Sequence, residues 1–285
     1  MLKYRLLFGT LMVLFFVGLI LADGWLDGSL TAADDKPVQG TIFVLLVMAV
    51  AFLAVPEMAT LAANKHARVF PVPAIAGSVA LATMWYWMQM STAPAAFGLG
   101  YLLIAASVSL AAVFLWQAVF FGTDGVIVNC SVNYLTIFYL GFLSSFILAI
   151  RVVFGPWALL MFIFTVKFAD TGAYTAGKLF GKHQFSPRIS PGKTWEGLAG
   201  AVVAGVITAV CMSVICGIMP WFYGTLFGVL FAVLGQFGDL AESMLKRDAE
   251  QKDSSSNIPG FGGVLDIVDS LLGTAPAAYL FFVLA

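Results

Sequence analysis

The chain has 285 residues, of which 61% are hydrophobic and only 10% charged, with a formal net charge of −1. Soluble domains carry about 25% charged residues, so this composition, with a mean hydropathy of +0.98, excludes a water-soluble globule. The near-neutral charge leaves no basic footprint for nucleic acid, and no nucleic-acid partner is expected.

Lys3 and Arg5 precede a first apolar run over 6–22. It is long for a secretory leader and no A-x-A site follows it, so it reads as a retained membrane helix. Further runs of spanning length follow near 39–56, 72–90, 95–121, 126–150, 154–170, 197–219, 221–245 and 267–285. The pattern predicts an all-α polytopic membrane protein of about nine transmembrane helices, forming a single integral membrane domain over 1–285. The alternation expected of a transmembrane β-barrel is missing.

Positive charge sets the orientation. With the N-terminus cytoplasmic, the inner segments hold Lys65, Arg68, Lys178, Lys182, Arg188, Lys193, Lys246, Arg247 and Lys252 besides Lys3 and Arg5. The outer segments hold only Lys36 and Arg151, with Asp23, Asp27, Asp34 and Asp35 in the first outer loop. About nine spans then leave the C-terminus outside. Gly197, Ala201 and Gly205 form one small-residue stripe and Gly224 with Gly228 another, which predicts close helix packing. Cys130, Cys211 and Cys216 lie in apolar runs at spacings of neither a zinc site nor a disulfide framework, and read as packing residues.

Polar chemistry gathers in three places. Asp170 begins a D-T-G-A-Y segment reaching Lys178, and Lys167, inside a span, stands three residues before Asp170 on the same helix face. An ion pair and a substrate contact are both open readings of that pair. The second cluster holds Ser190, Lys193, Thr194 and Glu196 in a proline-stiffened turn before a membrane helix. Its Gly192-Lys193-Thr194 is not a P-loop, because Pro187 stands where the required glycine would be and no strand precedes it. A lysine and backbone amides at a helix N-terminus suit a phosphate, while a snorkelling lysine is the plainer reading.

The third cluster is densest: ten charged residues lie between Gly238 and Ser270. A helix there puts Asp239, Glu242, Ser243 and Lys246 on one face, and Asp266 and Asp269 open the last span. Facing helices would bring Asp239 near Asp266, where a cation such as Mg²⁺ could bridge the acids and phosphate oxygens. Internal pairing with Lys246, Arg247 and Lys252 is the alternative.

Taken together, these residues resemble the phosphatidate cytidylyltransferase family, also called CDP-diacylglycerol synthase. Its signature runs roughly S-x-x-K-R, then K-D, then P-G-H-G-G-x-x-D-R-x-D. Here Ser243, Lys246 and Arg247 are followed by Lys252-Asp253, Pro259-Gly260-Phe261-Gly262-Gly263, Asp266 and Asp269. The upstream blocks Asp170–Tyr174, Gly177–His183 and Ser190–Gly197 match too, so the motif-bearing region is 166–285 and the helices of 1–165 are divergent. Phe261 replaces the histidine of the signature, Ile267 its arginine, and Lys167 stands where an apolar or aromatic residue is expected.

The resemblance implies a dimeric, many-helix enzyme of the bacterial cytoplasmic membrane, its site facing the cytoplasm. It would join CTP to phosphatidic acid, giving CDP-diacylglycerol and pyrophosphate. It implies a divalent cation, Mg²⁺, held by Asp239 and Asp266 with K⁺ nearby, and Lys246 beside them in catalysis. Asp170, Lys178, Ser190, Lys193, Thr194, Ser243, Arg247, Lys252, Asp253 and Asp269 are the candidate substrate contacts, with His183 a further candidate. A CDP-archaeol-type synthase or polyprenol kinase is the nearest rival. A transporter is the rival of another class, disfavoured because the charges gather at one face rather than the midplane.

Overall fold

The computed structural model describes residues 2–30, 36–255, 258 and 262–285, with side chains from residue 9 onward. Asp34, Asp35, Pro259, Gly260 and Phe261, and the side chains of Lys3 and Arg5, lie outside the described residues. The elements are helices α1 (Leu2–Leu26), α2 (Thr41–Ala63), α3 (Pro71–Ala82), α4 (Met84–Met88), α5 (Pro94–Phe120), α6 (Val126–Ile137), α7 (Leu143–Phe180), α8 (Trp195–Ile215), α9 (Trp221–Asp248) and α10 (Val264–Leu284). Among the described residues the only β pairing is two isolated bridges.

Seven described helical stretches are long and apolar enough to cross a membrane, and the chain is an integral membrane protein of all-α class. The apolar run over 72–90 is split at Thr83, whose hydroxyl donates back to the Val79 carbonyl at 2.9 Å. The π turn at Phe138–Phe142, inside the run over 126–150, joins α6 to α7, and the runs over 126–150 and 154–170 are parted near Gly155. Within α7 the path breaks at Gly155, whose φ of 84° is open to glycine, and Pro156 removes the next amide donor.

Charge ties the early helices to α7. Arg151, fully buried, donates from Nε to Asp23 at 2.7 Å and from Nη2 to Asp27 at 2.6 Å. Asp23 also accepts the amides of Ile42 and Phe43, and Asp27 that of Gly40, so both carboxylates cap the start of α2. Burial alone would raise the Asp27 pKa. Hydrogen bonds from Ser29 and Gly40 and the Arg151 charge outweigh it and hold the carboxyl below its usual value.

Helices α7 to α10 form the bundle that carries the polar motifs. Phe162, Phe227 and Phe231 are buried at its centre, the last two with ring centroids 4.1 Å apart. The small-residue stripes pack as expected. A Cβ on Gly205 would lie 2.9 Å from the Gly228 carbonyl, and one on Gly273 2.8 Å from Gly238 Cα. The Gly273 approach brings α10 against α9 beside Asp239, and the Gly205 approach packs α8 on α9 about three turns away.

Candidate active site

A cleft of about 390 Å³ opens among α7, α8, α9, α10 and the segment 181–194. Its walls carry Asp170, Lys193, Asp239, Lys246, Asp266 and Asp269, so the three polar clusters of the sequence meet in one place.

The segment before α8 is built to present Lys193. Phe185 and Trp195 amides donate to the carbonyls of Lys193 and His183, closing a narrow loop. Thr194 then caps α8 by accepting the Gly197 amide at 3.1 Å. With its backbone fixed, Lys193 sends its ammonium to the Gln236 carbonyl at 2.9 Å and to Asp239 at 2.8 Å. His183 faces away from this chemistry: it is exposed and its Nδ1 lies 2.6 Å from Glu196.

The start of α10 is fixed from two directions. Asp266 Oδ2 reaches back to the Gly263 amide at 2.8 Å and accepts the Ser254 amide and hydroxyl at 2.9 and 2.7 Å. Its Oδ1 takes the Lys246 ammonium at 2.5 Å. From α2, buried Glu57 accepts the Val264 and Leu265 amides at 2.9 and 2.8 Å and the Ser255 hydroxyl at 3.0 Å, and shares the Ser254 hydroxyl, at 3.0 Å, with Asp266. Gly262 holds a φ of 94°, and a Cβ on Gly263 would run into Ser254 Oγ and Glu57 Oε2, so both glycines are needed here.

Asp239, Glu242 and Asp269 bring carboxylate oxygens within 4.8 Å of one another. Glu242 Oε2 contacts the Lys246 ammonium, whereas its Oε1 is buried without a hydrogen-bond partner among the described residues. Asp170 completes the acidic wall, accepting Gln236 Nε2 at 3.1 Å and the Ser270 hydroxyl at 3.2 Å. Five carboxylates thus face the three ammonium groups of Lys167, Lys193 and Lys246. An oxygen-only donor set, a negative excess and an orphaned buried oxygen fit a hard divalent cation. Asp239, Glu242 and Asp269 are the residues positioned to hold it.

The sequence profile of the Cytidylyltransferase family matches residues 3–285. The chain belongs to that family. Proteins named phosphatidate cytidylyltransferase are similar over part of the chain. The one from Mycobacterium bovis is 43% identical over 125 residues, 44% of this chain and 40% of that protein. Those from Bacillus subtilis and Haemophilus influenzae are 44% and 41% identical over 117 and 140 residues, covering 43% and 46% of their own lengths. The matched segment therefore spans less than half of these relatives.

In this cytidylyltransferase-family member the cleft does not gather every residue that the motifs suggested. Ser190, Lys193, Thr194, Asp170, Lys246, Asp266 and Asp269 line it, and Ser243 supports Asp239 through a 3.2 Å hydrogen bond. Lys178 is exposed beside the Tyr174 ring, and Lys252 and Asp253 are exposed outside the cleft. Arg247 is also exposed, donating to the Ile189 and Gln251 carbonyls, so its described role is to hold the 181–194 segment. The expected ligand pair of Asp239 and Asp266 shares the cleft, Asp239 paired with Lys193 and Asp266 with Lys246, Ser254 and Gly263. Glu57 and Gln236 have no signal in the sequence that marks them. Glu242 was visible on the Asp239 face, and its burial is what promotes it.

Proposed function

We propose that the chain transfers the cytidylyl group of CTP to phosphatidic acid, giving CDP-diacylglycerol and pyrophosphate. The observation carrying this reading is the convergence of Asp239, Glu242 and Asp269 beside Lys193 and Lys246 in a cleft of a cytidylyltransferase-family membrane protein.

A lipid phosphate oxygen attacks the α-phosphorus of CTP. The new P–O bond forms as the bond to the β-phosphate oxygen breaks, and pyrophosphate carries off the electron pair. Such transfer needs positioning and charge neutralisation rather than a covalent enzyme intermediate. Asp239, Glu242 and Asp269 would hold Mg²⁺, which when bound supplies positive charge to the phosphate oxygens. Lys193 stands at the N-terminus of α8, where the helix dipole and amides also favour anions, and is placed to steady the triphosphate. Lys246 bridges Glu242 and Asp266, holding the carboxylate wall of α9 against that of α10.

Placement of the cleft at the cytoplasmic face is supported by the lysines and arginines flanking it. A homodimer and a K⁺ ion beside Mg²⁺ follow from the family resemblance alone. Purified protein given CTP labelled at the α- or γ-phosphate tests the reaction. The expected result is α label on lipid with equimolar pyrophosphate. Transfer of the γ label would establish a kinase and overturn the reading.

A further inference from the structure

Lys167 sits between two spaces of opposite character. On one side is the polar cleft, whose wall it shares with Asp170 and Asp269. On the other is a cavity of about 150 Å³ between α1, α2, α7 and α10, walled by apolar residues such as Phe16, Ile20, Val50, Ile163 and Leu271. Among the described residues lining these two spaces, Lys167 alone lines both. Its ammonium donates to Ser270 Oγ at 2.8 Å, while Asp170 and Asp269 stand at 3.8 and 3.9 Å, beyond hydrogen-bond distance. An ammonium carries three donors, so the Ser270 bond leaves it capacity for an anion. Ile267, the position at which the family signature carries arginine, lies in the wall of the same apolar cavity.

We propose that Lys167 grips the phosphate of the lipid substrate at the neck between these spaces, with one acyl chain of that lipid in the apolar cavity. The cation that the signature places on α10 is then supplied from α7, and Ile267 is left apolar against the chain. The proposal rests on the reaction proposed above. A phosphomonoester lipid matches the sequence of environments along one molecule: an apolar tail space, a cation, then the carboxylate cluster and Lys193. Surrounding lipid is as apolar as the cavity wall, so hydrophobicity alone gives the chain no reason to enter. The phosphate contact at the neck therefore selects the occupant, and the cavity shape sets the preferred chain.

The plain alternative is that Lys167 only offsets the charge of Asp170 and Asp269. Steady-state kinetics of the full chain in detergent micelles, varying phosphatidate and CTP separately, separates the two. Lys167→Met is expected to raise KM for phosphatidate about tenfold or more, the loss of one charge-assisted contact, while KM for CTP holds. Lys167→Arg should keep the phosphatidate KM, and Lys167→Met with Ile267→Arg should recover part of it. Val50→Phe should lower kcat/KM for dioleoyl phosphatidate and spare the dihexanoyl lipid. A Lys167→Met variant that loses kcat with an unchanged phosphatidate KM would overturn the proposal, as would an unaltered chain-length ratio in Val50→Phe. Should the parent protein form no CDP-lipid, the reaction falls but Lys167 is still decided by melting. Dihexanoyl phosphatidate should then stabilise the parent and Lys167→Arg but not Lys167→Met, and equal stabilisation of all three would refute the grip.

Discussion

Replacing Glu57 by glutamine tests whether α2 holds the catalytic helix in place. The carboxylate lies among four donors: the Val264 amide and Ser255 hydroxyl on Oε1, the Leu265 amide and Ser254 hydroxyl on Oε2. Glutamine keeps one acceptor oxygen. If it serves Val264 and Ser255, the new amide group points at Leu265 and Ser254. Ser254 can rotate to accept from it, but the Leu265 amide loses its partner. A hydrogen bond to a charged group contributes about 1.5–3 kcal/mol, and a negative charge at a helix N-terminus about 0.3–1 kcal/mol more. The expected loss is about 2–4 kcal/mol, a large share of a typical domain stability of about 5–15 kcal/mol. Turnover should fall as well, by about 100-fold, because Asp266 and Asp269 ride on the first turns of α10 and a displacement of about 1 Å can cost that much. Label transfer from CTP to lipid and thermal unfolding in detergent read both effects. A Glu57→Gln protein with parental melting and turnover would refute the clasp.

The remaining predictions concern other parts of the molecule. Arg151→Met leaves Asp23 and Asp27 buried without their cation and should cost about 3–5 kcal/mol by thermal unfolding; adding Asp23→Asn and Asp27→Asn should recover much of it. Glu242→Gln and Asp269→Asn should each abolish CDP-lipid formation while the protein still inserts, and chelation followed by Mg²⁺ should switch the parent off and on. Parental turnover in Glu242→Gln would remove Glu242 from the cation site. Thr194→Ala should cost about 1 kcal/mol through the lost α8 cap and raise KM for CTP by loosening Lys193; an unchanged KM would separate the cap from the site.

Much of this was legible because helical periodicity and motif spacing are local. The face carrying Asp239, Glu242, Ser243 and Lys246, and the small-residue stripes that include Gly205 and Gly228, follow from residues a few positions apart. Which charged residues enter the cleft was less legible. Lys178, Arg247 and Lys252 belong to the same motifs as Lys193 and Lys246, yet side-chain direction in a turn or at a helix end has no period to read. Glu57 was invisible for another reason: its partners lie about two hundred residues later, and a single acid near the end of an apolar run looks like an interfacial residue. Thr83 and the π turn interrupt runs whose hydropathy alone looks continuous.

Those long separations bear on how the protein is made. Asp23 and Glu57 emerge from the ribosome on the first two helices, but Arg151 follows Asp23 by 128 residues and Leu265 follows Glu57 by 208. Until then each carboxylate faces lipid, translocon or water without its partner, a state that costs free energy in hydrocarbon. The first two helices are thus poorly suited to leave the translocon alone, and α10, last in the sequence among the described helices, closes the structure. A chaperone or translocon surface that shelters an acidic helix would hold this protein longest at α1 and α2.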